Sequence, residues 1–121
     1  MLLVILTRPE PTTLPLSTTT MATHCAEIVS FRLVEGYSPE KFNNDAKKTL
    51  PIVQEFGGCL QRILSVDDSG LWTDYILWKD HTTAMKAADV VPKDPRFAEF
   101  GNAIDPKTVT MRHASVAMLM L

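Results

Sequence analysis

Few side chains in this sequence have the types and spacing to do chemistry. Trp72, Asp74, Ile76 and Trp78 recur at every second position, so a strand places them on one face. Two indoles beside a carboxylate suit the wall of an apolar ligand pocket. Asp74 would then fix a donor on the ligand or accept the proton of a phenol. The same residues would serve equally as core or subunit contact, with Asp74 paired to a backbone N–H or an arginine. His113 shares a face with Val109 and Met111. It is either a general base with a pKa near neutrality or a satisfied structural imidazole. Arg112 points to the opposite face, where it anchors an anionic ligand or pairs with an acid across a subunit boundary. Arg32 invites the same two readings. Phe97 and Phe100, three apart, pack as core or as pocket wall. The candidate set is therefore Asp74 and His113 for acid/base work, with Trp72, Trp78, Phe97 and Arg112 as ligand contacts.

Other chemistries find no foothold. The sequence has no nucleophile elbow, phosphate loop, dinucleotide fingerprint or zinc spacing. Cys25 and Cys59 have no CxxC or Cys/His cluster around them, so neither a metal site nor a cofactor is expected. They read as thiols in a reducing compartment, hence a cytoplasmic protein. Net charge is −2 with Lys and Arg dispersed, which argues against a nucleic-acid partner. Leu2 to Leu6 is apolar but too short to span a membrane, and it lacks the charged flank of a signal peptide. His81 follows a helix cap and reads as solvated; His24 reads as peripheral.

The elements that must position these residues follow from patterning. The chain has 121 residues, 45% hydrophobic and 21% charged, which suits one globular domain. Arg8 to Thr20 is rich in Pro and Thr and cannot build a packed element. Residues 1–25 are therefore expected to be an extended arm, or an arm laid across a partner subunit, before a domain over 26–121. Glu27 to Val34 alternates as a strand, with Glu27, Val29, Phe31 and Leu33 on one face. Ser38-Pro39-Glu40 opens a helix, Pro51 interrupts it near Thr49-Leu50, and Gly57-Gly58 ends it. Cys59 to Val66 and Leu71 to Lys79 form a hairpin through the turn Asp67-Asp68-Ser69-Gly70. Asp80 opens a second helix, Asp94-Pro95 a short third piece, and Thr108 to Leu119 a long fourth strand.

The order β-α-β-β-α-β predicts a ferredoxin-like α+β fold, a four-stranded antiparallel sheet with helices on one face. Strand residues are apolar on both faces, so the open face predicts a homodimer packed sheet to sheet.

Trp78-Lys79-Asp80, Ala84, Asp94-Pro95-Arg96-Phe97 and Phe100 resemble the W-x-[DS]-x-x-x-A…P-x-F-x-x-F pattern of antibiotic biosynthesis monooxygenase (ABM) domains. Trp72-Thr73-Asp74 and Ile104-Asp105-Pro106…Met111-Arg112-His113 resemble an uncharacterised branch of the same dimeric α/β barrel superfamily. The resemblance implies a dimer, a pocket between sheet and helices, and activities that include cofactor-independent oxygenation of phenols or quinols. A non-catalytic dimeric ligand-binding or stress-response protein is the alternative it leaves open. The sequence departs from the pattern at Ala88, where many members carry His, and at Arg96. The haem-degrading branch uses a helix His and a first-strand Asn; neither stands near Phe100 to Asn102 or in Glu27 to Val34.

Overall fold

The computed structural model describes residues 23–121, so the expected arm lies outside the described residues apart from its last three. Four strands form one antiparallel sheet: β1 (Cys25–Phe31), β2 (Cys59–Val66), β3 (Trp72–Trp78) and β4 (Thr110–Ser115). Their spatial order is β2-β3-β1-β4, the ferredoxin-like arrangement, with β1 central between β3 and β4. The helices α1 (Pro39–Lys47), α2 (Leu50–Phe56), α3 (His81–Val90) and α4 (Ala98–Asn102) complete the fold, with 3-10 turns at Val91–Lys93, Pro95–Phe97 and Pro106–Thr108.

Local chemistry explains the boundaries. The Ser38 side chain accepts from the N–H of Lys41, and Pro39 pre-sets the first turn of α1. Pro51 has no N–H to offer the carbonyl of Lys47, so the helix breaks at Lys48-Thr49 and restarts as α2. Gly58 has φ of +87°, and a Cβ there would sit 2.7 Å from Thr83 Cγ2. Glycine is thus required by both its conformation and the close approach of α3. Asp80 caps α3 by accepting from Thr83 N at 2.7 Å.

Two strands end differently from their sequence patterns. The first was expected over Glu27–Val34 and runs Cys25–Phe31. Arg32 leaves the ladder because its N–H donates to Thr108 Oγ1 and its carbonyl accepts from Asp105 N; Leu33 keeps one isolated bridge to Ile104. The fourth was expected over Thr108–Leu119 and runs only Thr110–Ser115. Its partner decides: Ser115 pairs with Cys25, the first residue of β1, and beyond it one bond from Val116 N to His24 O remains.

The core lies between sheet and helices. Phe31, Phe42, Trp72 and Phe100 form an aromatic cluster at one end, with Phe42 stacked on Phe100 and edge-on to Trp72. Trp78 lies at the other end of β3, edge-on to Phe56. Fully burying side chains of this size contributes about 2–3 kcal/mol each.

Candidate functional site

Strand register assembles the site. The pairs Arg62↔Ile76, Ile76↔Glu27 and Glu27↔His113 place Arg62, Glu27 and His113 in one row across all four strands. The parity of this row is that of buried Trp72, Asp74 and Trp78, so it faces the helices. Asp74 stands one step along β3, diagonal to Arg62.

Asp74 is held by Arg62. Nε donates to Oδ1 at 3.0 Å and Nη2 to Oδ2 at 2.8 Å, a bidentate pair with both side chains about nine-tenths buried. Nη1 donates to Thr49 Oγ1 at 2.7 Å, and that hydroxyl donates to Ala46 O at the break between α1 and α2. Burial disfavours the guanidinium charge, but the attraction and hydrogen bonds of Asp74 outweigh it and raise the Arg62 pKa above its ordinary value. Arg62 also lies 5.6 Å from the Phe100 ring centroid.

Glu27 is 2% exposed. Its Oε1 accepts from Trp78 Nε1 at 2.9 Å and lies 3.5 Å from His113 Nε2. That second distance permits charge attraction but forms no hydrogen bond, and among the described residues His113 Nε2 is buried with no hydrogen-bond partner. The exposed His81 ring packs edge-on against His113 with centroids 5.7 Å apart, and its Nδ1 lies 3.6 Å from Cys25 Sγ. Burial pushes the Cys59 thiol up, which leaves it poorly suited as a nucleophile.

A cavity of about 30 Å³ lies between the sheet and α3, the 3-10 turns and α4. Glu27, Arg62, Asp74, Trp78, Phe97 and Phe100 line it, with alanines of α3 closing the far side. It has room for a water or two; benzene needs roughly 150 Å³. Two open grooves of about 370 and 190 Å³ run outside, beside the edge strand β2, and both are lined by Leu50 and Arg62. Arg62 therefore stands between the interior and both grooves. Phe97 is held inward by its neighbours: Arg96 bonds Asp94, which caps the Pro95–Phe97 turn, and reaches Glu55 on α2. The Arg96 contact holds the Asp94 carboxyl down at about 2.

Of the residues singled out from sequence, Asp74, Trp78 and Phe97 line the cavity. Trp72 belongs to the aromatic cluster. His113 sits one residue behind Glu27, reaching it rather than the cavity. Arg112 pairs with Ile28 in register and is exposed on the outer sheet face, away from the cavity. Arg32 donates to Ser69 O and Oγ in the hairpin turn, a structural tie. Sequence reasoning passed over Glu27, Arg62 and Thr49. The signal for Glu27 and Arg62 was a charge sharing its strand face with apolar Val29 and Leu64. Among the described residues no group of three or more His, Cys, Asp or Glu is placed to hold a metal ion. No helix among them is long and apolar enough to cross a membrane.

No protein-family model matches the sequence, and no curated protein matches it significantly. Solved structures do resemble it. A Pseudomonas aeruginosa protein, PA3566, aligns with a TM-score of 0.60 and 18% identity over 83% of this chain and 100% of its own. SnoaB, a cofactor-independent oxygenase from Streptomyces nogalater, aligns at 0.56 and 15% over 83% of this chain and 97% of its own. A Bordetella bronchiseptica protein, provisionally assigned as an antibiotic biosynthesis monooxygenase, aligns at 0.62 and 16% over 79% of this chain and 99% of its own. At these identities the likeness establishes a shared fold, the ABM-like ferredoxin-type α+β fold.

Proposed function

We propose that this chain is a cytoplasmic, homodimeric ABM-like protein that binds a small aromatic molecule of the phenol or quinol class and oxygenates it without a cofactor. The observation that carries this reading is the cavity, where Trp78, Phe97 and Phe100 supply apolar walls and the sheet supplies carboxylates and a guanidinium. In such a reaction a base takes the phenolic proton, and the electron-rich anion reduces oxygen. One oxygen atom becomes the new carbonyl of a quinone and the other leaves as water. With both Asp74 oxygens held by Arg62 and His113 lying behind Glu27, the acid/base group is a carboxylate of the cavity wall, and Arg62 faces the developing oxyanion. The fold shared with SnoaB supports the reaction class. Ring-sized ligands require the wall to open, and displacing Arg62 would join the cavity to the outer grooves.

The second reading is a non-catalytic ligand-binding dimer. It is favoured by Asp74 having both oxygens occupied by Arg62 and by the small size of the cavity. Oxygen-electrode measurements on a panel of hydroquinones and naphthoquinols separate the two. The oxygenase reading expects uptake matched to quinone formation, lost when Ala88→Leu fills the cavity in a folded protein. Saturable binding without uptake would support the second reading. Absence of both would remove the cavity as a ligand site.

A further inference from the structure

We propose that Glu27 and His113 form the proton-accepting pair of this cavity, with Glu27 touching the ligand and His113 storing the proton behind it. The inference rests on reading the cavity as the ligand site and names the base within it. Four observations carry it. Glu27 lines the cavity and is almost wholly buried. Trp78 Nε1 donates to Oε1, which fixes the direction of the carboxylate. His113 Nε2 lies 3.5 Å from that same oxygen and is buried with no hydrogen bond among the described residues. A buried polar atom left in this state is costly, about 1–3 kcal/mol, and is retained where it has work to do. Finally, Asp74 has both oxygens committed to Arg62, so the remaining basic group of the cavity wall is Glu27, with His113 behind it.

The proton leaves the ligand hydroxyl for the Glu27 carboxylate, directly or across a cavity water, and passes to His113 Nε2. The ligand oxygen is left as an anion facing Arg62, and the imidazole becomes imidazolium beside a carboxylate again charged. No oxidant is needed for this step, since only the proton moves. The groups facing the pair are Cys25 beside it on β1, Trp78 and Asp74 on β3, Arg62 on β2 and His81 on α3. The charges of Arg62 and Glu27 attract one another. The exposed His81 ring packs edge-on against His113 on the solvent side of the pair.

The test uses the full chain and 4-nitrophenol, whose anion absorbs in the visible. Bound to the wild type, the probe should ionise at least tenfold more readily than in water. Glu27→Gln keeps an acceptor for Trp78 yet should abolish that gain, and so should His113→Gln, with affinity for the neutral probe changed less than threefold. A bound probe that ionises as in water, or variants that match the wild type, would overturn the proposal. Imidazole nitrogen NMR at a fixed pH judges the pair without any ligand: Glu27→Gln should move the His113 Nε2 resonance from its wild-type position. An unchanged resonance overturns the pair, whereas failure of the probe to bind counts against the cavity as a ligand site.

Discussion

The Arg62–Asp74 pair is a contact on which the interior depends directly. Two charges this deeply buried are tolerated because every oxygen of one meets an N–H of the other, with Thr49 taking a third guanidinium donor. Removing one partner strands the other. Asp74→Ala is expected to destabilise the fold by about 3–5 kcal/mol in urea denaturation. Asp74→Leu combined with Arg62→Met should be near neutral, because shape is kept and no charge is left buried. A mild Asp74→Ala effect would mean that Arg62 swings out to water through the adjoining grooves. Such a result would show how readily the wall opens.

At the scale of elements, the contact between the α2–β2 junction and α3 is unusually tight. Gly58→Ala must adopt a left-handed backbone and push its Cβ into Thr83 Cγ2, so a loss of about 2–3 kcal/mol is expected. Adding Thr83→Ser deletes the offending methyl and should recover part of that loss, read as a rise in the denaturation midpoint. Many element boundaries were legible in the sequence because single residues set them: Ser38 and Pro39 start α1, Pro51 splits it, Asp80 caps α3, and Gly70 closes the hairpin. The ends of β1 and β4 were not, because a ladder stops where its partner stops, and patterning along one strand carries no record of the other. The same holds for the site. Parity put Asp74 beside the indoles, but its meeting with Arg62 depends on a register that includes the irregularity between Cys59 and Gln61. The approach of His113 to Glu27 likewise depends on how β4 aligns with β1.

For the whole molecule, the outer sheet face is the surface that the proposed homodimer would bury. Ile63 is 49% exposed there, Ile28 and Tyr75 are half-buried, and Arg112 projects at the rim. Ala26 and Leu77 are already buried on that side, so the patch is a partial one. A sheet-to-sheet homodimer through this face is the expected state. Ile63→Lys combined with Ile28→Lys should give a folded monomer by sedimentation velocity. An unshifted dimer would place the interface elsewhere, for instance along the edge of β2.

The central position of β1 has a consequence for how the chain acquires its structure. β2 and β3 are neighbours in sequence and can zip together locally, but β1 must wait for partners made much later, and β4 is the last strand among the described residues. Contacts of such long range are entropically slow to close. On the ribosome, the first strand emerges with both edges open, and one edge stays open until Ser115 has cleared the exit tunnel. Folding is then a late event that involves the chain as a whole, and a nascent chain stopped short of β4 would present a long unpaired edge to its neighbours.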